Sequence, residues 1–253
     1  MPIEIRYLRA SMALISLDGF TVLTDPWFRR RMRGLPVYVR PALSAEQLPP
    51  LDLILVSHLH PDHFDAAALA RLAHPCPCLV GPPALDERRR GPKVERVVRL
   101  DDGGVFEGDG FTVRAVRVQH SGYENAYMLR RNGRTLFFGG DARYDETFRR
   151  IGTEEKIDVA LLPVGGTEII GRRIVMDPED AYQAALDLNA RVVVPIHEGG
   201  EWMSVPPLSR HPGRAAHLAQ LARDRGAPFR VRVIPPGQTA RLDNAASDAK
   251  EPA

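Results

Sequence analysis

The sequence predicts one mixed α/β (α+β) domain in which two sheets are covered by helices. Three observations carry that expectation. Short β-rich runs open the chain and then mix with helical segments, and the same progression recurs in the second half. No Pro/Ser/Gly-rich linker divides the 253 residues, and no fixed-period repeat is present. Hydrophobic residues make up 44% and charged residues 26% of a chain long enough to bury a substantial core, which excludes collagen-like, coiled-coil and wholly disordered chains.

Residues 3–8, 12–17 and 20–24 read as strands, with Asp18-Gly19 as a hairpin turn between the last two. Residues 25–50 hold five prolines and the basic cluster Arg29, Arg30, Arg31 and Arg33, and read as irregular. Residues 51–57 form a continuous apolar run of buried-strand character. Residues 65–73 are helix formers with Asp65 at the N-cap position. Further strands are expected at 78–80, 94–100, 111–118, 125–131 and 135–138, with Asn132-Gly133 turning between the last two. A short helix at 144–151 and a buried strand at 159–163 follow. Residues 177–189 give the clearest helix, since Asp177 can cap it, Pro178 suits its first position and acids fill its first turn. A strand at 192–196, a helix at 214–225 and a strand at 229–234 end the regular structure. The polar segment 243–253 is expected to fray.

Composition narrows the function classes. Thirty-four basic against 32 acidic residues leave a charge of +2, which makes no global case for nucleic acid or an anionic membrane as partner. Cys76 and Cys78 are too close for an unstrained disulfide, so a reducing compartment, the cytoplasm, is expected. The N-terminus lacks a basic region followed by an apolar block, so no signal peptide is expected, and no uncharged apolar stretch approaches 18 residues, so no membrane span is expected.

The chemistry is concentrated in His58-Leu59-His60-Pro61-Asp62-His63, directly after a buried strand. Four potential metal ligands fall within six residues. In extended backbone His58 and His60 point the same way, and past Pro61 the chain turns and carries Asp62 and His63 elsewhere. One short loop can thus serve two adjacent ions. Three more candidates end predicted strands: His120, Asp141 after two glycines, and His197. Five histidines and two aspartates form a nitrogen/oxygen set that suits zinc, manganese or iron. Two divalent ions can share a water and bring its pKa near neutrality. Asp62 is then the candidate catalytic residue, aligning that water and passing a proton to the leaving group.

The HxHxDH loop, followed in order by His120, Asp141 and His197, resembles the metallo-β-lactamase superfamily. The resemblance implies a four-layer αββα sandwich over residues 1–235, with residues 236–253 as a partly disordered tail. It implies that His58, His60 and His120 hold one metal, that Asp62, His63 and His197 hold a second, and that Asp141 bridges them, the ions being most simply Zn2+, with Mn2+ or Fe as alternatives. Residues 24–28 (TDPWF), 158–166 (DVALLPVGG), the 176–188 helix and VPIHEGGEW are similar to the branch of ascorbate-6-phosphate lactonase and N-acylphosphatidylethanolamine phospholipase D relatives. A metal-dependent hydrolase of a small-molecule ester, lactone or phosphodiester is therefore expected, with an iron-dependent oxidoreductase, a nuclease and a non-catalytic metal-binding module as the other readings. No GxSxG, GxxxxGK[ST] or strand-linked GxGxxG pattern supports other chemistry.

Around this set, Asp25 is the candidate acceptor that orients a ligand histidine. Tyr123 is the foremost candidate to line the substrate pocket, with Trp27 and Trp202 as weaker ones. The arginines at 29–33 could face an anionic substrate. His211 and His217 read as surface helix residues.

Overall fold

The computed structural model describes residues 3–32, 34–201 and 204–242. Chain order begins with β1 (Ile3–Arg9), β2 (Met12–Leu17), β3 (Phe20–Thr24), the short pair β4 (Arg31–Met32) and β5 (Leu35–Pro36), and β6 (Leu53–Leu55). After α1 (Ala66–Leu69) come β7 (Cys76–Gly81), β8 (Val94–Arg99), β9 (Val105–Gly108), β10 (Phe111–Val118), β11 (Glu124–Arg131) and β12 (Arg134–Phe138). Then follow α2 (Thr147–Glu154), β13 (Val159–Pro163), β14 (Glu168–Ile169), β15 (Arg172–Arg173), α3 (Pro178–Asp187), β16 (Val192–Ile196), β17 (Ser209–Arg210), α4 (Ala215–Asp224), β18 (Arg230–Val231) and β19 (Thr239–Leu242).

Two seven-stranded sheets result, in the orders β19-β1-β2-β3-β6-β7-β8 and β18-β16-β13-β12-β11-β10-β9. Each couples an antiparallel run to parallel strands, the junctions being β3 with β6 and β12 with β13. The expected recurrence in the two halves is this shared plan. Asp18 and Asn132 sit at φ 53° and 49°, each followed by a glycine at positive φ, so both predicted hairpin turns form.

Side-chain alternation assigns the layers. Leu53 and Leu55 face the other sheet with Phe138, Leu161 and Val194, while Ile54 and Val56 face outward onto Phe64, Ala68 and Leu69. On the second sheet Phe137, Leu162 and Val193 turn outward onto Phe148, Ala184 and Leu218 of the three longer helices and onto Leu188 at the end of α3. The αββα sandwich is therefore observed, though its first outer layer is mostly loop, with α1 and two single 3-10 turns at Ala45–Gln47 and Glu87–Arg89. The helix expected over 65–73 shrinks to α1, and Asp65 makes no side-chain cap hydrogen bond. By contrast α3 begins as predicted, with Asp177 accepting from the Asp180 amide.

The tail boundary after residue 235 needs correction. Thr239–Leu242 pairs antiparallel with β1, from Ile3↔Leu242 to Arg6↔Thr239, and buries Ala240 and Leu242 between the sheets. The alternation in these four residues is too brief a signal to separate from a polar tail. Residues 243–253 lie outside the described residues. A chain ended after Pro235 is expected to lose about 2–4 kcal/mol, chiefly the Leu242 burial, in a denaturant titration. Unchanged stability would mean that β19 adds nothing to the core.

Candidate metal centre

The ends of β6, β10, β12 and β16 deliver the site. The β6 exit is fixed from two sides: Val56 N donates to Val80 O at 2.9 Å, and the Tyr127 hydroxyl donates to Val56 O at 2.9 Å. Beyond His60 the chain coils, with the amides of His63 and Phe64 both donating to His60 O. That coil reorients Asp62 and His63 as the Pro61 break predicts. His197 leaves β16 at φ 49°, and its amide donates to Ala10 O at 2.8 Å.

All seven sequence-predicted side chains come together, in two groups. One is His58, His60 and His120; the other is Asp62, His63, Asp141 and His197. In the first, His58 Nε2 and His120 Nε2 lie 2.8 and 3.2 Å from His60 Nδ1. In the second, Asp141 Oδ2 is 3.1 Å from His63 Nε2 and Asp141 Oδ1 is 3.1 Å from His197 Nε2, with Asp62 Oδ2 3.9 Å from His63 Nε2. Asp141 thus stands inside the second group.

The far ring nitrogens fix which atoms face the centre. His120 Nδ1 lies 2.9 Å from Ile174 O, a carbonyl that only accepts, so Nδ1 carries the proton and Nε2 the lone pair. Asp25, fully buried at φ 35°, accepts from Ser57 N at 2.7 Å, from the Ser57 hydroxyl at 2.7 Å and from His63 Nδ1 at 2.6 Å. The Ser57 hydroxyl proton is thereby committed, so Ser57 Oγ accepts from His58 Nδ1 at 3.0 Å. Three histidines therefore present Nε2 inward, as ligation requires. The histidine that Asp25 contacts is His63.

Electrostatics agree. Burial, helped by charge at His63, holds His58 well below the ordinary imidazole value, and burial lowers His120. Burial opposes protonation of His63 and His197 most strongly of any one cause, but Asp141 and Asp62, joined by Asp25 at His63, together outweigh it and raise both, His63 strongly. Burial resists ionisation of Asp141, yet His197 and His63 hold its carboxyl well below the usual range. The second group takes up positive charge, which a cation can supply in place of protons. The residues also fit an ion sterically: His63 Nε2 is buried beside a carboxylate oxygen without a hydrogen bond to it, and three ring nitrogens converge in the other group.

Several neighbours escaped the sequence reading. Glu124 is fully buried beneath both groups, and burial with the Asp141 charge pushes its carboxyl well above the usual value. Arg9, buried in the core, donates to the carbonyls of Trp27, Arg29 and Val39 and lies 3.7 Å over the Trp27 ring, which fixes the loop after Asp25. Ala10 carries the turn that meets His197, and Glu201 secures that turn by accepting from Tyr7 and from the Ala10 amide, each at 2.5 Å. His211 is not a surface helix residue: it precedes α4, is buried, and its Nδ1 is 3.1 Å from Thr167 Oγ1. Burial, then His197, lowers it to about 4. No periodic signal marks a histidine in a Pro/Gly loop as buried.

Other expectations fall away from the cluster. The Tyr123 hydroxyl donates to Asp101 at 2.5 Å, which directs it to an exposed aspartate and not to the histidines. Trp27 is core. Arg29, Arg30 and Arg31 are exposed, with Arg29 Nε 3.4 Å from Asp65. Arg33 and Trp202 lie outside the described residues. Among the described residues no helix is long and apolar enough to cross a membrane.

Comparison with known proteins places this geometry. A family profile described as Beta-lactamase superfamily domain matches residues 21–197. A UPF0173 metal-dependent hydrolase of Thermus thermophilus is 31% identical over 252 residues, covering 95% of this chain and 100% of that relative. An uncharacterized Mycobacterium tuberculosis protein is 30% identical over 213 residues, 75% of this chain, and the match spans only 56% of that relative's length. Igni18, a metallo hydrolase from Ignicoccus hospitalis, shares the fold at TM-score 0.76 and 23% identity, over 96% of this chain and 99% of its own. By the extent of the profile and of the Thermus match, the chain belongs to the metallo-β-lactamase superfamily, among relatives named metal-dependent hydrolases.

Proposed function

We propose that the protein is a hydrolase that uses two divalent ions, most simply Zn2+, to cleave an ester, lactone or phosphodiester of a small molecule. The carrying observation is the pair of adjoining ligand groups, three histidines beside Asp62, His63, Asp141 and His197. When bound there, the ions supply Lewis acidity and bring the pKa of water from 15.7 to about 7. His58, His60 and His120 would hold one ion and Asp62, His63 and His197 the other, with Asp141, which stands among the second set, as the carboxylate they would share. Asp62 is the more exposed of the two site aspartates. Its carboxylate accepts a hydrogen bond from the attacking water, orients it, and returns a proton to the leaving group.

A phosphorylated or lactone metabolite is the preferred substrate, in keeping with the likeness of residues 24–28 and 158–166 to the lactonase and phospholipase D branch. The free, buried thiols of Cys76 and Cys78 suit the cytoplasm.

The test is an elemental assay of purified protein followed by a screen of lactones and phosphodiesters. Two zinc or manganese ions per chain with hydrolysis are expected, and Asp62→Ala should lose about 10²–10⁴-fold in kcat. Tightly bound iron with O₂ consumption and no hydrolysis overturns the reading.

A further inference from the structure

We propose that Glu124 is a positioning residue that locks the two ligand groups to one another through the Asp141 backbone and the outer nitrogens of His58 and His120. The inference rests on the two-ion reading above.

Glu124 opens β11, opposite Val118 at the end of β10, so its side chain lies beneath the turn that carries His120. The next amide, Asn125 N, donates to Ser57 O at 3.1 Å, which pins this strand end under the His58–His63 loop. The carboxyl then touches both halves of the centre. Oε1 accepts from Asp141 N at 2.5 Å and lies 3.6 Å from His58 Nδ1, and Oε2 lies 3.6 Å from His120 Nδ1. Oε2 has no hydrogen-bond partner although it is buried. Gly140 makes room for the arrangement: at φ 56° it tolerates a left-handed backbone, and a Cβ there would stand 2.1 Å from Glu124 Oε1 and 2.8 Å from Ser57 Cβ.

A simple acceptor for one amide does not need an acid. A glutamine would satisfy Asp141 N equally well and would leave no bare oxygen in the interior. What only the acid supplies is a second acceptor oxygen, so that Oε2 faces His120 Nδ1 while Oε1 faces His58 Nδ1 and holds the Asp141 amide. Its charge reinforces the tautomers that Ser57 Oγ and Ile174 O set by hydrogen bonding, with the His58 and His120 lone pairs inward, while the same side chain fixes the Asp141 backbone. In Glu124→Gln, with the amide oxygen kept on Asp141 N, the NH₂ would stand against the Nδ1–H of His120, donor against donor, and the negative charge beside His58 would be gone.

The experiment titrates wild type, Glu124→Gln and Glu124→Asp with Co2+. It follows the visible d–d bands, ion stoichiometry against a competing chelator, and the thermal midpoint of the ion-free forms. Wild type should bind two ions per chain. Glu124→Gln should stay folded, weaken binding about 10–100-fold and shift the d–d bands. Glu124→Asp, which keeps both oxygens, should recover part of the affinity, and it carries the test if the glutamine variant does not fold. Wild-type affinity within twofold and an unchanged spectrum in Glu124→Gln overturn the positioning role and leave the two-ion reading standing. Fewer than two ions on wild type overturns both.

Discussion

Stripping divalent ions with a chelator is expected to bring hydrolysis down to the uncatalysed rate and to lower the thermal midpoint, with both restored on adding the ion back. No side chain replaces what is lost. His58 and His120 are held below the ordinary imidazole value, the ring nitrogens of the first group are aimed at one another, and Asp62 can orient water but cannot by itself generate hydroxide at neutral pH. The loss in stability has a separate origin. Ions that bind only the folded chain stabilise it by mass action, by about 2.7 kcal/mol for an ion at a hundred times its Kd. For a chain of this size that is roughly 5–10 °C, at about 2–4 °C per kcal/mol. Paired turnover and melting measurements across an ion titration separate the two effects. Full turnover from a preparation shown by elemental assay to be free of ions would sink the proposed chemistry.

The residues that would hold the ions were readable in the sequence because the physics that places them is local. Alternation puts His58 and His60 side by side, Pro61 forces the turn, and strand ends collect His120, Asp141 and His197 at one edge. The hairpins at Asp18-Gly19 and Asn132-Gly133 and the capped start of α3 were legible for the same reason: each needs only a few adjacent residues. The supporting groups were not. Glu124 reads as an ordinary polar start to an apolar strand, and Arg9 as a surface charge beside a turn. Their roles depend on partners such as Asp141, 17 residues from Glu124, and Val39, 30 residues from Arg9, that only tertiary packing supplies. The faint signal for Glu124 was a Glu-Asn pair opening the run AYML, where a strand about to enter a core seldom spends two polar side chains. Strand β19 failed for a different reason. Its two buried residues gain meaning only from the vacant edge of β1, some 230 residues earlier in the chain.

Asp25 is where fold and site depend on the same atoms, so its replacement should separate two costs. In Asp25→Ala, the Ser57 amide, the Ser57 hydroxyl and His63 Nδ1 all lose their acceptor in a fully buried pocket. Stranded buried donors cost about 1–3 kcal/mol each, and some will find other partners, so a loss of about 3–5 kcal/mol is expected. Against a typical total of about 5–15 kcal/mol, that is enough to leave a marginal fold. Asp25→Asn should behave differently. Its amide keeps the volume and one acceptor oxygen, so the fold should survive with a smaller shift in denaturation midpoint. Its NH₂ group, however, meets the Nδ1–H of His63. Relief comes when the His63 proton moves to Nε2, and that places a hydrogen where the second group needs a lone pair. The asparagine variant is therefore expected to be folded yet weakened in ion binding by about 10–100-fold. Denaturant titration and ion stoichiometry, measured on the same samples, read the two costs apart. An Asp25→Asn protein that keeps both ions at wild-type affinity would show that the Asp25–His63 hydrogen bond serves packing alone.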